Sequence, residues 1–184
     1  INDITVLRES GASNDDSTRT DGLTGLVNRY ALYQRLSLEI EHALREDHPL
    51  SILYIDLDNF KHINNSLGYT VGDRVLQKVA QRLSENISPT AILSHLGSDE
   101  FLIVLPGADE HAAMESAACI VTAMSVPLHI GDCDLSPTPT IGISVFPRDG
   151  DNAEELIRNA GAAMGEAKAR GPNSFQLYAR HMNE

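Results

Sequence analysis

The stretch Leu96-Gly97-Ser98-Asp99-Glu100-Phe101 joins two apolar runs, Ala91-Ile92-Leu93 and Phe101-Leu102-Ile103-Val104-Leu105. Apolar runs separated by a short glycine-containing turn predict a tight hairpin, and a central hairpin favours an antiparallel or mixed sheet over a doubly wound parallel one. Strand pairing would fix both ends of the turn, so Asp99 and Glu100 would be rigidly aimed. A second acidic pair, Asp56 and Asp58, closes another apolar run, Ile52-Leu53-Tyr54-Ile55. Carboxylates at two strand ends supply the hard oxygen ligands of metal-assisted phosphoryl chemistry and leave space for phosphate oxygens. Taken singly, either pair also reads as an acidic turn kept polar for solubility.

The remaining pattern places these acids in one α+β domain. Asn28 can cap a helix whose apolar face is Leu32, Leu36, Ile40 and Leu44. Ser51 to Ile55 is a short continuous apolar run, the mark of a buried central strand. Val71, Val75, Val79 and Leu83 mark a second amphipathic helix, and residues from Glu110 to Met124 a third. Strands are predicted at Leu128 to Leu135 and Thr140 to Phe146, before a turn at Pro147-Arg148-Asp149-Gly150. A last helix carries Leu156, Ile157, Ala160, Ala163, Met164 and Ala167, and a short strand from Ser174 to Tyr178 follows. Residues Ser10 to Thr20 are rich in Ser, Asn, Asp, Thr and Gly and read as a linker, so the globular part is expected to begin near Asp21.

At 184 residues and 42% apolar composition the chain is long enough for one domain with a sizeable core. No apolar run approaches membrane-spanning length and no signal peptide opens the chain, which predicts a domain without a membrane segment. Cys119 and Cys133 fit neither a disulfide framework nor metal-ligand spacing, so a reducing cytoplasm is expected. A formal charge of −12 argues against nucleic-acid or anionic-membrane binding, which needs cationic patches. A nucleotide could bind, provided that a cation and a few local basic groups neutralise its phosphates.

Four ordered blocks together resemble the GGDEF domain family of bacterial cyclic-di-GMP signalling. Asp21-Gly22-Leu23-Thr24-Gly25-Leu26-Val27-Asn28-Arg29 is similar to its opening signature, and Asp56-Leu57-Asp58-Asn59-Phe60-Lys61 to its first metal block, continuing through Asn64, Gly68, Gly72 and Asp73. Gly97 to Phe101 stands where the name-giving motif stands, and Ala163-Met164 with Ala167-Lys168 resembles the late helix. The resemblance covers Asp21 to Tyr178. It implies a nucleotidyl-cyclase fold (palm, or ferredoxin-like), with a central, mainly antiparallel sheet covered by helices. It also implies condensation of two GTP molecules, one held by each of two facing domains, into cyclic di-GMP. On this reading residues 1–20 are a linker and the tail of an upstream domain, 21–179 the GGDEF domain, and 180–184 the start of a further linker. Ile1 to Glu9 is similar to the tail of a PAS sensor domain, and Tyr178 to Met182 to the lead-in to an EAL phosphodiesterase domain.

The resemblance also implies roles. Asp56, the Leu57 carbonyl, Asp99 and Glu100 would hold Mg2+ or Mn2+, and Asp99, Glu100 and Lys61 would act in catalysis. Asn64 and Asp73 would read guanine, with Lys168, Phe60 and Gly97 completing the GTP site. Asp58 could instead cap the following helix. The departures are as specific. Ser98 replaces the second glycine of the motif, His95 stands where an arginine is usual, Tyr69 where a histidine is usual, and Asn65 where an aspartate is usual. Pro172 replaces a late phosphate-binding arginine and Gly165 a tyrosine. Ser88 and Ala91 occupy the ends of the RxxD inhibitory site, so that product-binding site is expected to be missing. Two readings follow: a cyclase with weak turnover, or a catalytically degenerate GTP-binding domain that regulates an adjacent EAL phosphodiesterase.

Overall fold

A computed structural model describes residues 18–183. The PAS-like stretch and most of the expected linker therefore lie outside the described residues. The first long helix, α1 (Arg29–Glu46), starts where the cap was expected, the Asn28 side chain accepting from the Ala31 amide at 2.9 Å. Leu32, Leu36 and Ile40 are buried, but Leu44 is 73% exposed and Ala43 takes the next inward position. The reason is the helical period. Steps of four residues drift by about 40° each, so twelve residues on the side chain has left the face, whereas eleven residues on it has returned.

From α1 the chain enters β1 (Leu50–Leu57), then α2 (Phe60–Leu67) and α3 (Tyr69–Glu85), which meet at Gly68. The expected hairpin follows as β2 (Ile92–Gly97) and β3 (Glu100–Pro106), then α4 (Glu110–Met124). The run from Leu128 to Leu135 is not one strand. It folds at Gly131-Asp132 into β4 (Leu128–Ile130) and β5 (Cys133–Leu135), a separate two-stranded hairpin whose turn needs the positive φ of Gly131, 60°. Then come β6 (Pro139–Phe146), α5 (Ala153–Arg170), β7 (Phe175–Leu177) and a 3-10 turn at Arg180–Asn183.

The main sheet has the order β2-β3-β1-β6-β7, antiparallel throughout except for the parallel β6–β7 pair. β1 is paired along its length on both sides, which explains its continuous apolar run. Helices cover both faces. Leu53, Ile55 and Leu57 share one face with Phe101, Ile103 and Ile143, in a core that includes Val75, Val79 and Leu83 of α3 and Ala113, Ala117 and Ile120 of α4. Leu50, Ile52, Leu102 and Val104 share the other, with Leu32 and Leu36 of α1 and Leu156 and Ala160 of α5. Each fully buried leucine or isoleucine contributes about 1.5–3 kcal/mol, so a one-residue slip that exchanged the faces would forfeit most of both cores. α5 lies directly on β6: a Cβ at Gly142 would fall 2.0 Å from the Ala160 carbonyl oxygen. Among the described residues no helix is long and apolar enough to cross a membrane.

Candidate active site

The strand register brings the acidic blocks together. Asp56 at the end of β1 pairs with Glu100 of β3, and the Leu57 amide donates to the Asp99 carbonyl at 3.1 Å. One Asp56 oxygen lies 2.9 Å from the Lys168 ammonium, carried by the last turn of α5. The other, Oδ1, is buried without a partner among the described residues. Burial pushes the Asp56 carboxyl up to about 6; Lys168 pulls it down, and the neighbouring Asp99 carboxylate adds to the rise. A half-buried acid with an orphaned oxygen beside a second acid suits a hard divalent cation. Asp56, Asp99 and the Leu57 end of β1 are the groups that could hold one. Among the described residues no group of three or more His, Cys, Asp or Glu side chains is gathered in ligating geometry.

Glu100 is engaged elsewhere, because its carboxylate accepts from the Tyr54 hydroxyl. Burial and then Glu100 push the Tyr54 phenol well above its ordinary value, so it remains a donor. The sequence reading missed Tyr54, although the signal was there. Two residues before Asp56 on one strand, it must share the Asp56 face and sit diagonal to Glu100.

The turn between β2 and β3 carries the strain expected of the replaced glycine: Gly97 has φ 113° and Ser98 φ 48°. Buried beneath the turn is His95, whose Nδ1 is 3.0 Å from an Asp21 carboxylate oxygen and whose Nε2 is 2.8 Å from the Ser98 carbonyl oxygen. The same Asp21 oxygen accepts from the Thr24 amide and hydroxyl at 2.9 and 2.7 Å. Burial alone would raise the Asp21 carboxyl, but Thr24 and His95 outweigh it and hold it below its ordinary value.

Asp58 neither joins these acids nor caps α2. It is buried and accepts from the Thr138 and Thr140 hydroxyls, each at 2.7 Å, and from the Asn173 amide at 2.9 Å, tying β1 to β6 and to the loop after α5. The N-cap position of α2 belongs to Asn59, at φ 60°, which makes no side-chain cap bond. The amides at the start of α2 therefore have no side-chain cap beside exposed Lys61, an arrangement that attracts anions. The Phe60 ring, by contrast, is in the core, so its side chain is not free to meet a ligand. Asn64 packs on Gly72, where a Cβ would come within 1.8 Å of the Asn64 Oδ1 atom. That oxygen is buried and unpartnered among the described residues, and the next residue along α3, Asp73, is exposed.

The family model described as the diguanylate cyclase, GGDEF domain matches residues 18–174. The chain is 36% identical over 163 residues to the bifunctional diguanylate cyclase/cyclic di-GMP phosphodiesterase MucR of Pseudomonas aeruginosa, covering 89% of this chain and 24% of that protein. It is 34% identical over 173 residues to the diguanylate cyclase TpbB of the same species, covering 93% of this chain and 40% of TpbB. The solved GGDEF domain of TpbB superposes with a TM-score of 0.86 at 34% identity, over 89% of this chain and 96% of the solved one. The chain thus spans less than half the length of either curated relative.

Proposed function

Because the chain belongs to the GGDEF domain family, we propose that it binds GTP with Mg2+ or Mn2+ and, facing a second copy, condenses two GTP to cyclic di-GMP with weak turnover. The observation that carries this reading is the Asp56–Asp99 carboxylate pair, with its orphaned oxygen, at the joined ends of β1 and the β2–β3 turn. Asp56, Asp99, the Leu57 carbonyl and Glu100 would hold a divalent cation there, which when bound would offset charge on the α-phosphate and the departing pyrophosphate. Everything else falls to the chain. Lys61 and the free amides of α2 hold phosphate oxygens, Lys168 exchanges Asp56 for phosphate, and Gly97 keeps the turn open to the nucleotide. The Asn64 carboxamide addresses the purine O6/N3 side, and the Asp73 carboxylate accepts from N1–H and N2–H of guanine. The 3′-hydroxyl of one GTP forms a bond to the α-phosphorus of the other, the bond to pyrophosphate breaks, and the Glu100 oxygen that Tyr54 does not bond takes the hydroxyl proton. The same step in the opposite sense closes the ring.

Weak turnover follows from Ser98 beside the phosphates and from Pro172 in place of an arginine fork. The domain proper is taken as residues 21–179. The test is incubation at high protein concentration with Mg-GTP or Mn-GTP, read by chromatography. Cyclic di-GMP formed by the parent and not by Asp99→Asn supports the reading. Tight metal-dependent GTP binding without product would make the domain a GTP-binding regulator of a neighbouring phosphodiesterase instead.

A further inference from the structure

Acidic residues outnumber lysines and arginines by 26 to 14, yet the groove between the outer face of α3 and the β4–β5 hairpin has no acid in its described lining. It holds about 450 Å³. Arg74, Gln77, Lys78 and Gln81 form the α3 wall, and His129 and Gly131 stand on the hairpin wall. None of them belongs to the candidate active site. Arg74 and Lys78 are one helical turn apart, as are Gln77 and Gln81, so two cations and two carboxamides share one face of the helix. The side chains of Arg74 and Lys78 have no hydrogen bond or ion pair among the described residues. Like charges at this spacing repel, and no acid of the hairpin relieves them: Asp134 is turned to the His129 ring instead. The walls are fixed to each other. Arg82, one turn beyond Lys78, donates to the carbonyls of Ala123, Val126 and Pro127 and fastens the segment entering β4 to α3. Leu128 and Ile130 of β4 are buried in the same core as Val75 and Val79 of α3.

We propose that this groove is a second ligand site, separate from the nucleotide site, for a small phosphate-bearing anion. The Arg74 guanidinium offers a planar fork to two phosphate oxygens, and Lys78 adds a point charge beside it. The carboxamides of Gln77 and Gln81 can donate to further oxygens or meet polar groups on the rest of the ligand; Gln77 is already steadied by its bond to the Leu23 carbonyl at 3.1 Å. A preformed concavity of this volume suits a small molecule. The net charge of −12 repels an extended polyanion such as nucleic acid, whereas a small anion feels chiefly the local cations.

The groove needs no divalent cation, so inorganic pyrophosphate is titrated into the protein in EDTA at about 0.15 M salt, and failure here leaves the cyclic di-GMP reading standing. Backbone amide signals of Lys78, Gln81 and Gly131 should move together in NMR spectra and saturate. Arg74→Gln combined with Lys78→Gln should weaken binding at least about tenfold. Arg35→Gln combined with Arg45→Gln removes the same charge from α1, on the opposite face of the sheet, and should change affinity less than about twofold. Guanosine monophosphate titrated alongside tells a nucleotide's phosphate from an inorganic one by which of the two binds tighter. Groove amides that stay still, shifts that never saturate, or an α1 pair that weakens binding as much as the groove pair overturns the site. Should the groove double variant not fold, Arg74→Gln alone decides by the same comparison with Arg35→Gln.

Discussion

Ser98 and Asp56 show how single residues are held against their own preferences at this site. A serine in the left-handed region costs roughly 1–2 kcal/mol, and its hydroxymethyl group adds bulk where phosphates would lie. Pro172, exposed on the loop after α5, offers no donor where an arginine fork would bind two phosphate oxygens. Ser98→Gly combined with Pro172→Arg should therefore raise cyclic di-GMP turnover at least about tenfold, or about 1.4 kcal/mol of barrier. Quantified product showing no gain, in a variant that folds and binds Mg-GTP, would move the defect elsewhere. Asp56 is strained by charge. Its carboxyl is raised from 3.8 to about 6, so between those values the folded state binds more protons than the unfolded one, and stability falls as the pH rises through that window. Above about pH 6 the full penalty stands. Asp56→Asn should consequently stabilise the metal-free protein at pH 7 by about 1 kcal/mol, discounted for partial exposure and for the lost Lys168 pair, with the gain shrinking toward pH 4. Urea midpoints at the two pH values check both size and sign. An equal effect at both would remove the electrostatic explanation.

Between elements, small residues set how closely the site groups approach. Gly72 leaves room on α3 for the Asn64 carboxamide; a methyl group there would meet its Oδ1 at 1.8 Å, while the Phe60 ring at 3.4 Å is in ordinary contact. The clash is with the end of a flexible side chain, so Gly72→Ala should turn Asn64 away without unfolding the protein. Calorimetry should then show the preference for GTP over ATP reduced at least tenfold, at nearly unchanged melting temperature. A preference that survives would mean that Asn64 does not read guanine. The elements themselves were largely legible in the sequence, since β1, the β2–β3 hairpin and α1, α3, α4 and α5 each bury a periodic apolar face. Three details escaped for local reasons: helical drift substitutes Ala43 for Leu44, Gly68 at φ 92° parts the short α2 from α3, and a glycine turn divides Leu128–Leu135. Proximity was legible where one block carried the signal, as in Asn64 with Gly72. Ties that span the chain were not. Asp58 with Thr138, Thr140 and Asn173, and His95 with Asp21, join residues 74 to 115 positions apart in four of their bonds, a separation no local pattern encodes.

At the scale of the whole molecule, the proposed reaction needs two nucleotides on two copies, yet each copy carries a formal charge of −12. Two such bodies repel as they approach, and bound triphosphates add to the repulsion. Screening shortens the reach of that field to about 8 Å at physiological ionic strength and extends it to about 30 Å at 0.01 M salt. With Mg-GTP held saturating, so that added salt does not limit nucleotide binding, two dependences should appear together. Product per copy should rise with protein concentration while the facing pair is sparsely populated. At a fixed low concentration it should also rise several-fold between about 0.01 M and 0.15 M monovalent salt, and this gain should fade once concentration alone saturates the pair. Initial rates over a concentration series at the two salt levels decide the matter. A rate per copy that stays constant down to concentrations at which sedimentation shows single copies would place both nucleotides on one chain and end the facing-copy mechanism, whereas concentration dependence without the salt effect would show that local contacts at the interface outweigh the net charge.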